Sequence, residues 1–138
     1  MQFVPVVVAA LSTMVIGFLW YSPLLFAKPW MLAAGYDIND KEQMEKMRKG
    51  AGPTYLRAFL ASLLTAFVLW RFFHWVGISS ATAGIQVAIV ACIGFNLTTK
   101  YTDMLFLRQH YLLFLINSGY QLACYAAIGA ILGGWRIA

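Results

Sequence analysis

The sequence predicts an all-α, polytopic membrane protein: a bundle of four transmembrane helices, with a short cytoplasmic amphipathic helix between the first and the second. Three observations predict it. Hydrophobic residues make up 62% of the 138-residue chain and charged residues 11%, where a soluble domain averages about 45–50% and about 25%. Four long stretches are nearly free of acidic and basic side chains. The basic residues gather in connections that share one side.

At this length the chain forms a single unit, one transmembrane domain over 1–138. The expected spans are about 3–27, 55–76, 78–100 and 111–135, with a cytoplasmic connection over 28–54. A helix needs about 20 apolar residues to cross a hydrocarbon core about 30 Å thick. The first, third and fourth stretches reach that length outright. The second has 13 residues between Arg57 and Arg71, so it spans only if both arginines extend their heads to opposite interfaces. Tyr55, Trp70 and Trp75 supply aromatic anchors there. The alternative is a re-entrant or interfacial helix. The first stretch is longer than the apolar core of a signal peptide and has no basic segment before it, so it reads as a retained helix.

Within the first span, Pro5 sits at the helix start, where its missing N–H costs nothing. Pro23 lies far inside, where proline removes a hydrogen bond and clashes with the preceding turn. A kink or a restart is expected there. Asn39–Lys49 reads as the amphipathic helix: Asn39 and Glu42 have capping-box spacing, and Glu42–Lys46 and Glu45–Lys49 are favourable i,i+4 pairs. Gly50-Ala51-Gly52-Pro53 is expected to end it. Gly77–Ser80 reads as a tight turn, and Lys100–His110 as a third connection lying at the interface.

Eight of the ten basic residues fall in the first and third connections: Lys28, Lys41, Lys46, Arg48, Lys49, Arg57, Lys100 and Arg108. Arg71 and Arg136 lie on the other side. Basic residues mark the cytoplasmic side. This places the first and third connections in the cytoplasm and both termini outside. The basic residues of the first connection are balanced by Asp37, Asp40, Glu42 and Glu45, which argues against nucleic acid.

Small residues recur at four-residue spacing. Gly129 and Gly133 form one such pair; Gly119 and Ala123 begin a second stripe, and Gly84, Ala88 and Cys92 a third. Small residues let helix backbones approach closely in lipid. The pattern fits packing within one bundle or the seam of a homo-oligomer. Cys92 and Cys124 read as small packing residues.

Polar residues recur at one depth. Tyr21 and Ser22 lie about two turns inside the first helix; Ser62, Asn96, Asn117, Tyr120 and Gln121 fall at matching depth on the others. Asn117 and Gln121 are four apart and share a face. Amides are costly in hydrocarbon and should face the bundle interior. They form either a small polar pocket opening to the cytoplasm or interhelical hydrogen-bond glue. No carboxylate lies deep in a span, and His74 and His110 fall at opposite faces. No H-E-x-x-H, phosphate loop or nucleophile elbow is present. The expectation is no enzyme, no catalytic residue, no metal and no cofactor.

The segment Gly17-Phe18-Leu19-Trp20-Tyr21-Ser22-Pro23-Leu24-Leu25-Phe26-Ala27-Lys28-Pro29-Trp30-Met31 resembles the signature of a bacterial membrane family catalogued as domain of unknown function 1761. Ala27 stands where that signature has glycine. Leu115–Gln121 and the later Gly129, Gly133, Gly134 and Trp135 are similar to the family's last helix. The resemblance covers essentially the whole chain. It implies a four-helix membrane protein, brings no activity, and singles out Trp20, Tyr21, Ser22, Pro23, Asn117 and Tyr120.

Two functions follow as expectations. One is binding or permeation of a small solute of unspecified chemistry at the polar layer. The other is a scaffold that docks a partner through Asn39–Lys49 or the Gly129/Gly133 seam.

Overall fold

The computed structural model describes residues 3–22, 24–35 and 39–135, the side chains of Met47 and Ala51 excepted. The expected kink at Pro23 lies outside the described residues. Among those described, every regular element is helical: α1 (Val4–Trp20), α2 (Ala27–Ala33), α3 (Lys41–Val76), α4 (Ala81–Ala91), a π-helical segment (Cys92–Leu97), α5 (Thr98–Leu107) and α6 (Tyr111–Gly134). Three helices are long and apolar enough to cross a membrane: Gly52–Val76, Ala81–Leu107 and Tyr111–Gly134. They mark the chain as a membrane protein. The apolar α1 is shorter, with 17 residues.

Three expectations about these elements are corrected. The first helix does not run to residue 27; it ends at Trp20. The Leu19 carbonyl is taken by the Ser22 N–H at 3.3 Å and the Ser22 hydroxyl at 2.7 Å. Phe26 N–H then closes back on the Trp20 carbonyl, at 3.1 Å. A proline at position 23 brings no N–H with which to continue the helical ladder. The chain restarts as α2.

Second, no separate amphipathic helix ends at Gly50–Pro53. α3 runs unbroken for 36 residues with Pro53 inside it. Proline forfeits one backbone bond, while the Thr54 hydroxyl donates to the Gly50 carbonyl at 2.8 Å. Helix on both sides carries the ladder through, since propagation is cooperative. Its N-cap is Asp40 rather than Asn39: the Asp40 carboxylate accepts from the Glu42 and Gln43 N–H groups at 3.1 and 3.2 Å.

Third, the helix expected over 78–100 starts at Ala81 and continues through the π segment and α5 to Leu107. The connection shrinks to Arg108–His110. Arg108 adopts a left-handed conformation (φ 54°), and its N–H closes on the Met104 carbonyl. The His110 ring caps α6 by accepting from Leu112 N–H at 3.0 Å. At the other end, Gly77 (φ 84°) closes α3 and the Ser80 hydroxyl caps α4, accepting from Ala83 N–H at 3.1 Å.

α6 is the central element. It packs most extensively on α4, then on α1; α1 packs in turn on α3. A side chain at Gly84 would strike the Gly129 carbonyl oxygen, one at Gly129 the Gly84 carbonyl, and one at Gly133 the Ser80 carbonyl. The small-residue seam is therefore occupied within the chain. The apolar core lies at this same end, around Val6, Leu69, Phe73, Ile78, Ile128 and Leu132. The π segment and α5 touch α6 far less than α4 does, so the two rods part toward the opposite end. Outward faces stay apolar: Leu24 is 87% exposed and Phe95 75%, as a lipid-facing surface requires.

Gly84→Ala is expected to destabilise the protein by about 1–3 kcal/mol or more, because it forces backbones apart. Gly50→Ala meets nothing within 4 Å and should gain up to about 1 kcal/mol of helix propensity. Unfolding of the two variants in the same detergent checks the contrast.

Candidate functional site

The end of α1 is clipped to α6 by aromatic side chains. The Trp20 indole N–H donates to the Ile116 carbonyl at 3.0 Å, and the Tyr21 hydroxyl to Asn117 Oδ1 at 2.5 Å. The Tyr120 hydroxyl donates back to the Thr13 carbonyl at 3.2 Å. The rings of Tyr21 and Tyr120 meet edge to face at 5.3 Å, and Trp30 of α2 stands against Tyr21 at 5.9 Å. Two glycines make room. A Cβ at Gly119 would lie 2.8 Å from the Trp20 ring, and one at Gly17 3.1 Å from the Tyr120 hydroxyl. Gly119 thus receives an indole rather than a helix backbone.

The other polar group sits between the π segment and α6. Asn96 Nδ2 donates to Gln121 Oε1 at 3.2 Å and approaches the Tyr125 hydroxyl at 3.4 Å. Asn96 Oδ1 is buried without a partner, as is Ser118 Oγ on α6. The π turn explains how Asn96 stays on this face. Positions 84, 88, 92 and 96 are four apart, and four-residue steps drift about 40° each around an α-helix. A wider π turn takes up such drift, and π turns recur at functional sites.

The single layer expected from depth thus divides in two. Tyr21, Asn117 and Tyr120 join α1 to α6; Asn96 and Gln121 join the third rod to α6. Asn117 and Gln121 share a helix face yet serve different neighbours. Ser22 turns back on the Leu19 carbonyl. Ser62, half-buried on α3, joins neither group among the described residues. Ala123 is half-buried on α6. Trp20, Thr13 and Tyr125 belong to these groups although depth alone did not select them. Tyr125 continues the 117–121 spacing by one more turn, a signal present in the sequence.

Three cavities adjoin the groups. One of about 270 Å³ opens between α1, α3 and α6, lined by apolar side chains with Tyr21, Tyr120 and Thr54. A second of about 220 Å³ lies between α5 and α6, lined by Lys100, Asp103, Leu107, Gln109, Leu113, Phe114 and Asn117. The Tyr21–Asn117 hydrogen bond joins the wall of the first to the wall of the second. The third, about 500 Å³, is an apolar groove between α3 and the third rod, with Tyr125 at its edge. Among the described residues, no three of His, Cys, Asp and Glu gather as metal ligands.

Compared with known families, residues 4–133 match the family described as "Protein of unknown function (DUF1761)". The chain belongs to that family. No curated protein and no solved structure matches it. The DUF1761 match takes in both polar groups and the glycine seam, so the aromatic clip and the parting of the two rods are features of its matched region.

Tyr21→Phe removes the donor to Asn117. A double-mutant cycle of Tyr21→Phe with Asn117→Ala should give a coupling of about 0.6 kcal/mol, the average for membrane hydrogen bonds, and no more than about 1.7 kcal/mol. Reversible unfolding in mixed micelles measures it; additive effects would show that the bond contributes nothing.

Proposed function

We propose that this is a four-span inner-membrane protein that binds a small polar solute in the cavity between α5 and α6, for uptake or passage rather than for catalysis. The observation that carries this reading is the position of Asn117. Its Oδ1 is held by Tyr21, and its side chain also forms part of the cavity wall, together with Lys100, Asp103 and Gln109. A purely structural amide would be enclosed on all sides. Here a carboxamide fixed by a hydrogen bond faces a space with two charged side chains, Lys100 and Asp103, and one other amide, Gln109. α1, at 17 residues, falls at the short end of the range of about 17–25 that can span. The eight-to-two basic asymmetry supports a cytoplasmic mouth for this cavity.

A second reading has one observation in its favour. α3 begins at Lys41, eleven residues before its apolar stretch from Gly52, so about 17 Å of rigid helix stands clear of the span. That segment is the surface on which a scaffold would dock a partner. The Gly129/Gly133 face is taken within the chain.

Thiol labelling tests the solute reading. Cys92 and Cys124 are buried and should resist a charged, membrane-impermeant thiol reagent. Asn117→Cys and Leu113→Cys line the cavity and should react with reagent applied to the cytoplasmic face of inverted vesicles. Both should be protected in right-side-out vesicles. If neither reacts faster than the native thiols, the cavity is closed to water and the solute reading fails.

A further inference from the structure

We propose that the cavity between α5 and α6 takes a small dipolar ion, one that carries a primary ammonium and an oxyanion a few bonds apart, with Asp103 meeting the ammonium and Lys100 the oxyanion. This rests on the solute-binding reading above and names its ligand class.

The argument begins with spacing. Lys100 and Asp103 are three apart on α5, so their side chains leave one face of the helix about 5–6 Å apart at Cβ. Both line the same cavity. Among the described residues neither lies within 4.0 Å of an opposite charge. The two charges are not spent on each other. They present a positive and a negative pole side by side, with the Gln109 and Asn117 carboxamides able to donate or accept beside them.

Charge then selects the guest. A simple anion drawn to Lys100 would be repelled by Asp103, and a simple cation the reverse. A dipolar ion gains from both poles. Leu107, Leu113 and Phe114 supply apolar wall and offer hydration water no partner. The volume, about 220 Å³, lies below the roughly 300–1,000 Å³ of drug-sized sites, so the guest is small.

The π segment contributes as well. Asn96, Lys100 and Asp103 fall at i, i+4 and i+7. Past the π turn at Cys92–Leu97, half-buried Lys100 and exposed Asp103 both stand at the cavity between α5 and α6. The cavity lies next to the Arg108–His110 connection, at the level of lipid headgroups. Two sources could therefore supply the same chemistry: a free amino-phosphate or amino-acid solute, or the ethanolamine headgroup of a membrane lipid.

The test uses the full chain in nanodiscs of phosphatidylglycerol, whose headgroup has no ammonium. O-phosphoethanolamine is titrated, with ethanolamine and glycerol 3-phosphate as probes of each pole alone. Phosphoethanolamine should bind at least about tenfold tighter than either single-pole probe, a difference of about 1.4 kcal/mol. Asp103→Asn should bring phosphoethanolamine down to the affinity of glycerol 3-phosphate without weakening glycerol 3-phosphate itself. Lys100→Gln should equalise phosphoethanolamine with ethanolamine. Each variant keeps one probe as its own evidence of folding. Nanodiscs that contain phosphatidylethanolamine separate the sources: loss of phosphoethanolamine binding there assigns the site to the lipid headgroup, and unchanged binding assigns it to a free solute. If the dipolar probe binds no tighter than the better single-pole probe, the ligand assignment is overturned. With Asn117→Cys still reactive, only the assignment falls. With Asn117→Cys and Leu113→Cys both unreactive, the solute reading falls with it.

Discussion

Gly84 and Gly129 let two helix backbones touch, and the other helices are placed by that contact. Apolar side chains have little reason to leave lipid for one another, so membrane helices hold together by close van der Waals packing and a few hydrogen bonds. α4 and α6 gain the first in full between Ser80 and Ala88 on one rod and Gly129 and Gly133 on the other. α1 then lies on α6, and α3 on α1. Because the contact is tightest at one end, the same two rods diverge at the other, where the π segment and α5 approach α6 less closely. The small residues thus dictate where the bundle is dry and where it opens.

At the open end hydrogen bonds replace close packing. Asn96 reaches Gln121 across one gap, and Tyr21 reaches Asn117 across the other. Trp20 presses its indole onto Gly119 and donates to the Ile116 carbonyl. A larger residue at 119 would lift the indole away, and the end of α1 would lose its register on α6. The clip and the seam do different jobs with the same means, an absent side chain: one admits a backbone, the other an aromatic ring.

Much of this was legible in the sequence, and the limits have physical causes. The all-helical class follows from long apolar stretches, and the family from the Trp20–Tyr21–Ser22–Pro23 signature. Asn96, Asn117, Tyr120 and Gln121 stood out because amides and hydroxyls are costly in lipid. What failed was geometry that hydropathy does not record. Trp20 to Phe26 is as apolar as helix, so hydropathy carries the span on to residue 27; Pro23 signals a break but not that α1 ends at Trp20. A π turn uses the same residues as an α turn, so the rotation at Cys92–Leu97 was invisible. Pro53 looked like a stop because a proline's cost is local, whereas the cooperativity that carries α3 through it is spread over the flanking turns. Depth could rank the polar residues along each helix but could not say which helix faced which, so two groups read as one layer.

The shortness of α1 reaches beyond its own contacts. Seventeen residues make about 25 Å of helix, some 5 Å less than the hydrocarbon core of a typical bilayer. A span that falls short is met by local thinning of the membrane. Its far end, at Trp20 and Tyr21, is tied to Ile116 and Asn117 on α6, more than a turn in from the start of that helix at Tyr111. In the proposed four-span arrangement, the headgroup boundary on this flank would dip to the level of Asn117. Water would then reach the amide through a dimple in the lipid surface, without any tunnel through protein. Such a protein would also favour thin bilayers over thick ones, since thickening the membrane would drown its own polar clip in hydrocarbon.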